Sequence, residues 1–164
     1  MGRPGALTVD RGPPGVALRA ARDDDVALVR SWRNDPDAVR FSTSRRPVSE
    51  LDHGRWFSAA LVDPRVRLWV AEERGIPVGQ VRLNLDGDAG VFSIAVAPAA
   101  RGRGVGQQML RIALAEVERD HLVAIVTAVT HPDNSASMRA FERVGFRRRG
   151  RSADGFIVFE LRLG

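Results

Sequence analysis

The chain has 164 residues, 44% hydrophobic and 27% charged, the balance of one soluble globular domain able to bury a full core. It has no cysteine, which excludes disulfides, thiolate metal sites and a cysteine nucleophile, and no apolar run approaches the ~18 residues of a membrane span. The formal charge is +5 and every basic residue is arginine, which fits a GC-rich coding bias and points weakly to anionic ligands.

Residues 1–14, rich in Gly, Pro and Arg, are expected to be a mobile leader, with a single domain over residues 15–164. They lack the apolar segment of a signal peptide, so the expected location is cytoplasmic. Val16–Ala21 reads as a strand, and Asp23 as the N-cap of a helix over Asp24–Trp32 that Pro36 ends. Ser49 and Asp52 form a capping box for a helix through about Val62. Strands follow at Arg65–Glu73 and Val78–Asp86, joined around Gly75-Ile76-Pro77, and Asp86-Gly87-Asp88 makes the next turn. Val91–Ala97 is a β-branched apolar run that Pro98 stops. A helix spans Val105–Arg119, a buried strand Leu122–Val129, and Asp133 or Asn134 caps a further helix ended by Gly145. A short strand at Phe146–Arg149 precedes an alternating one at Gly155–Leu163. This order predicts an α/β (α+β) domain with a mixed sheet. The Arg147-Arg148-Arg149 run with Arg151 reads as a solvated strand edge, since no stacking aromatics are interleaved for nucleic acid.

The stretch Val91–Leu110 organises the chain. Strand, glycine-rich turn (Arg101-Gly102-Arg103-Gly104-Val105-Gly106) and helix N-terminus in that order make an anion site. Backbone N–H groups are left unpaired there, the helix dipole adds partial positive charge, and glycine admits a bulky diphosphate. The turn lacks the spacing of a dinucleotide fingerprint and the Gly-Lys-Ser/Thr of a P-loop. The pattern R-x-x-G-x-G on Arg101, Gly104 and Gly106, after the strand SIAVAP, resembles the coenzyme A signature of the GNAT superfamily of N-acetyltransferases. A second match is Asn134-Ser135-Ala136-Ser137 followed by Phe141-Glu142-Arg143-Val144-Gly145-Phe146, which resembles the family's closing element.

The resemblance implies a mostly antiparallel central sheet flanked by helices, with a strand pair that splays at the coenzyme site. It implies acetyl-CoA as cosubstrate, with the backbone of Ile94 and Val96 pairing with the pantetheine arm and Ala95 between them also at the coenzyme. Amides of Gly102, Arg103, Gly104, Val105, Gly106 and Gln107 would bind the diphosphate, with Arg101 or Arg103 screening its charge. Asn134 has two readings, a pantetheine contact or a helix cap. Phe141 occupies a position where many members carry a tyrosine that protonates the departing thiolate, and this chain has no tyrosine. Ser137, one helical turn earlier, or water would then supply the proton. His131 is the candidate base because it titrates in the useful range; His53 is a second candidate, and His121 reads as surface. Of Glu72 and Glu73 only one can point inward. No residue spacing suggests a metal.

The acceptor is expected to be a small-molecule primary amine. Trp32-Arg33-Asn34-Asp35-Pro36 with residues 41–57 resembles acetyltransferases of nucleotide-linked amino sugars, and also those of ribosomal-protein N-termini. Arg45, Arg46 and Arg55 are the candidates for a sugar nucleotide's diphosphate. A non-catalytic acyl-CoA sensor is the alternative from another class, and neither nucleic acid nor membrane is an expected partner. The domain would act as a monomer or homodimer.

Overall fold

The apolar and alternating runs all join one sheet in the computed structural model, which describes residues 15–164; residues 1–14, with the expected leader, lie outside the described residues. The strands are β1 (Val16–Ala20), β2 (Val66–Glu73), β3 (Ile76–Asp86), β4 (Ala89–Val96), β5 (Ile125–Thr130), β6 (Arg147–Arg151) and β7 (Ile157–Arg162). Their spatial order is β1-β2-β3-β4-β5-β7-β6, and every neighbouring pair is antiparallel except β4 and β5. The β2–β3 hairpin turns on Arg74 (φ 53°) and Gly75 (φ 78°), a two-residue loop with both residues left-handed, as the twist of paired strands favours.

Five helices cover the sheet: α1 (Val26–Arg33), α2 (Pro36–Phe41), α3 (Glu50–Val62), α4 (Val105–Arg119) and α5 (Ser135–Arg143). Register sorts the strand residues between two faces. Leu68, Arg82 and Ser93 lie side by side on one face, with Val70 and Gln80, while Trp69, Val81 and Ile94 share the other. The first face meets α3, whose Trp56 lies under Arg82, with Val29 and Trp32 of α1 and Phe57 of α3 buried in the core. The second face takes α4, which buries Met109, Leu110, Ala113, Leu114 and Val117, and α5, whose Phe141 stacks on Phe159 of β7. Each such side chain withdrawn from water stabilises the fold by roughly 1.5–3 kcal/mol before entropy is counted.

Three local expectations change. Asp23–Asp25 winds into a 3₁₀ turn instead of opening α1, because the Asp25 carboxylate accepts from the Arg22 N–H (2.8 Å) and from Arg19 (2.7 and 2.8 Å). Pro36 ends α1 as expected but also starts α2, with Asp35 as its N-cap accepting from the N–H groups of Asp37 and Ala38. β5 begins at Ile125, three residues later than the apolar run suggests. β6 is the exposed edge strand that the arginine run implied.

Candidate active site

β4 and β5 pair only from Ala89 opposite Ile125 to Phe92 opposite Ala128. Beyond that point Ser93–Val96 pair with β3 alone, and Val129–Thr130 with β7 alone, so the sheet opens between them. One bond sets the backbone directions along this edge. The Ala97 N–H donates to the Val78 carbonyl on β3 at 2.8 Å, so alternation turns the groups of Ala95 toward β3 and those of Ile94 and Val96 toward the gap. Arg101 Nε, donating to the Val96 carbonyl at 3.2 Å, agrees with that direction. Ile94 and Val96, the two residues expected to pair with the pantetheine arm, thus turn their backbone groups to the gap, while those of Ala95 belong to the sheet. The side chains of Ile94 and Val96 pack toward α4, where a Cβ added at Gly106 would lie 3.5 Å from Ile94 Cδ1 and 3.4 Å from Val96 Cγ2.

The glycine turn delivers α4 to this gap. Gly104 is its left-handed N-cap (φ 74°), and an added Cβ there meets no protein atom within 4 Å, so it would project into the open space above the turn. Gln108 is the first residue whose N–H bonds back, to Gly104 at 3.1 Å, which leaves the amides of Val105, Gly106 and Gln107 without helical partners. The arginines are committed elsewhere. Arg101 donates to Asp35 (2.8 Å) and Asp37 (3.3 Å), and Arg103 to Glu73 (2.9 Å). Burial pushes the Asp35 carboxyl up, but Arg101 and the α2 amides more than reverse this and hold it below its ordinary value. Screening of a diphosphate by either arginine would therefore compete with these carboxylate pairs. Unpaired amides, the dipole and glycines that leave backbone accessible are what fit a diphosphate-bearing coenzyme here.

Asn134 takes the cap role, its Oδ1 accepting from the Ser137 N–H at 3.1 Å, which leaves the Nδ2 donors for any other contact. Ser137 is half-buried in the first turn of α5, and its hydroxyl has no hydrogen-bond partner among the described residues. Phe141 is corrected as a coenzyme contact. Only 2% exposed, it packs edge-on to Phe146 (5.1 Å) and stacks on Phe159 (6.0 Å) as a core residue. His131 follows β5 and lies 5.5 Å from the rings of both Phe41 and Phe156. Its Nδ1 accepts from the Asp133 N–H at 3.1 Å, so the neutral ring carries its proton on Nε2 and has no free lone pair. His53 is structural: 3% exposed, it donates from Nε2 to the Val26 carbonyl at 3.0 Å, and burial lowers its pKa. Glu72 binds Arg19 at 2.7 Å and Glu73 binds Arg103, so neither is free for proton transfer. His121 is exposed, beside a depression at the closed end of the sheet that it shares with Asp88 and Leu122, away from the gap.

Arg45, Arg46 and Arg55 are all exposed. Two partly buried arginines to which sequence reasoning gave no role each keep a buried nitrogen without a partner among the described residues. Arg82 of β3 holds its guanidinium 5.3 Å from the Trp56 ring centre, and its buried Nε has no partner among the described residues. Arg33, at the end of α1, donates through Nη2 to Ser44 Oγ at 3.0 Å, while its buried Nη1 is likewise unpartnered. Burial and then the charge of Arg33 hold Arg82 below its ordinary value. The available signal was an arginine alternating with Val81 and Leu83 in a strand whose outer face a helix must cover.

Residues 16–147 match the model of the acetyltransferase (GNAT) domain. A mycothiol acetyltransferase from Cellulomonas flavigena is 28% identical over 83% of the chain, which spans only 42% of that protein's length. An aminoglycoside N(6')-acetyltransferase type 1 from Klebsiella pneumoniae is 25% identical, with 88% of this chain and 81% of that protein covered. Among solved structures, a domain from Methanocaldococcus jannaschii superposes with a TM-score of 0.83 at 20% identity, covering 92% of this chain and all of that one. The complex of AAC(6')-Ib with ribostamycin and coenzyme A gives 0.79 at 19% identity, covering 90% of this chain and 93% of that one. At such identities the structures speak for the fold.

Proposed function

Since the chain belongs to the GNAT family of acetyltransferase domains, we propose that it is an acetyl-CoA-dependent N-acetyltransferase acting on a primary amine of a small amino-sugar nucleotide. The observation that carries this reading is the open β4–β5 edge, with the backbone of Ile94 and Val96 turned into it beside the free amides of α4. The coenzyme supplies an activated acyl thioester. The chain's own groups do the rest. Val105, Gly106 and Gln107 donate N–H groups to the diphosphate, and the Ile94 and Val96 backbone pairs with the pantetheine arm as an added strand would. A gap-facing N–H on the same edge is a hydrogen-bond donor for a carbonyl oxygen. Asn134 Nδ2 offers a further donor, and Ser137 Oγ holds the proton for the departing sulfur. The acceptor ammonium loses its proton to water, because the lone pair of His131 Nδ1 already accepts from the Asp133 N–H and His53 is buried with its Nε2 on the Val26 carbonyl.

Release of free thiol with a panel of amines tests the reading. Turnover of nucleotide-linked amino sugars is expected; turnover of peptide N-termini alone would move the acceptor to proteins. Tight coenzyme binding without turnover of any amine would overturn the enzyme reading in favour of a sensor. In the same assay Gly104→Asp should weaken coenzyme binding by about 10²-fold through like charge. Its fold should survive, because aspartate is a good N-cap and tolerates the left-handed region. Unchanged affinity in that variant would remove the turn from the binding site.

A further inference from the structure

We propose that Arg33 and Arg82 form an oxyanion subsite for the acceptor, so that the enzyme selects amines that also carry a carboxylate or phosphate. The inference rests on the acetyltransferase reading for the word acceptor, but the arginines themselves are a separate observation. A guanidinium under cover is ordinarily paired, since an uncompensated buried charge is costly. Among the described residues no acid pairs with Arg33 or Arg82. Asp25 and Glu72 bind Arg19, and Asp35 and Asp37 bind Arg101. Arg82 has no ion pair and no hydrogen bond among the described residues, and lies over the Trp56 ring. Arg33 has one fork arm on Ser44 and the other unpartnered. α1 packs on β3, so that the charge of Arg33 is felt at Arg82; two such cations without an acid are an incomplete arrangement that an oxyanion completes, and the planar guanidinium fork matches carboxylate and phosphate oxygens.

Placement fixes the relation to the chemistry. Arg82 sits opposite Ser93, the first residue of β4 beyond its pairing with β5. The gap-facing backbone of Ile94 and Val96 therefore lies about 3–10 Å further along the strand. An amine at that edge and an anion at Arg82 fit within one small molecule. Val91 and Val129, 41% and 46% exposed, mark the adjoining strands of β4 and β5 as uncovered, so the approach is open. A polycationic amine such as an aminoglycoside would bring like charge to the same place and be disfavoured.

Matched acceptors decide the matter: an amino acid against its amide, and a nucleotide-linked amino sugar against the free amino sugar. The anionic member of a pair should be preferred in kcat/KM, and whichever pair shows it names the anion as carboxylate or phosphate. Arg82→Met should cut turnover of that member by about 10²-fold while sparing its neutral counterpart. Arg33→Gln gives a second variant with the same direction. A readout independent of turnover is the thermal midpoint without acceptor, which Arg82→Met should raise, since it removes an unpaired buried cation. With coenzyme A saturating and ionic strength constant, inorganic phosphate should stabilise the native protein and not Arg82→Met. Equal turnover of both members, equal phosphate effects in both proteins, or a lower midpoint in Arg82→Met would overturn the subsite. Failure to acetylate any amine, with the phosphate effect still dependent on Arg82, would instead sink the acetyltransferase reading and support the anion site.

Discussion

Phe141 stands at the position that relatives of this pattern give to tyrosine, and its surroundings decide what restoring the hydroxyl would do. The ring is 2% exposed between Phe146 and Phe159, so Phe141→Tyr must bury an oxygen. We expect this to cost about 1–3 kcal/mol in a thermal or denaturant melt without speeding turnover. Ser137, half-buried and with its hydroxyl free, is the better test of proton supply. Ser137→Ala should slow single-turnover thiol release by about 10²-fold with an unchanged melt. An unaltered rate would mean that the thiolate leaves unaided. Because the chain lacks tyrosine, the pH–rate profile should rise as the acceptor amine becomes neutral and level off without a phenol-like fall near pH ~10.

At the level of elements, α1 is fastened to the sheet by charge as well as by packing. Arg19 of β1 grips Asp25 with both arms and reaches Glu72 of β2 through Nε. The Arg19 hydrogen bonds hold the Asp25 carboxyl below its ordinary value although burial opposes them, and the residue is only 6% exposed. A depressed native pKa stabilises the fold above the unfolded value of about 3.9 and ceases to do so as pH falls through the native one. Urea midpoints measured from pH 6 down to pH 3 should therefore drop, and Asp25→Asn should flatten that part of the drop. The variant should lose about 3 kcal/mol at neutral pH, because Arg19 is left partly unpaired. A pH dependence identical to that of the native chain would remove Asp25 from the account. The Asp35–Arg101 pair does for α2 what Asp25 does for α1, joining that helix to the glycine turn.

For the molecule as a whole, the two halves of the sheet meet through only four residue pairs of β4 and β5, helped by packing such as Phe92 against Phe146. That leaves a row of backbone donors with nothing to bond on the gap side. Amide hydrogen exchange reports on it residue by residue. Ile94 and Val96 should exchange fast in the free protein and slow on addition of acetyl-CoA, while Ala95, bonded to β3, stays slow throughout. At a ligand concentration of 100 times Kd the global stabilisation should be about 2.7 kcal/mol. Protection of Ala95 but not of its two neighbours on binding would contradict the backbone directions assigned here.

What the sequence determined by itself was whatever depends on near neighbours. The Ser49 cap, the bounds of α4 and the contiguous glycine turn before a helix all follow from residues a few positions apart, whereas the β2–β3 turn falls on Arg74–Gly75 and not on the expected Gly75-Ile76-Pro77. The glycine turn and the helix it opens were legible for that reason, and α2 was within reach of the same logic in Asp35-Pro36-Asp37. Only the tertiary structure decided where β5 leaves β4, that Arg101 and Arg103 pair with carboxylates, and that Phe141 is core. The acceptor half belongs to the same class, drawn from Arg33, Trp56 and Arg82 on three separate elements. An arginine alternating along a strand reads as solvent-facing until a helix is known to cover that face. That cover is a long-range register and packing outcome, which local propensity does not encode.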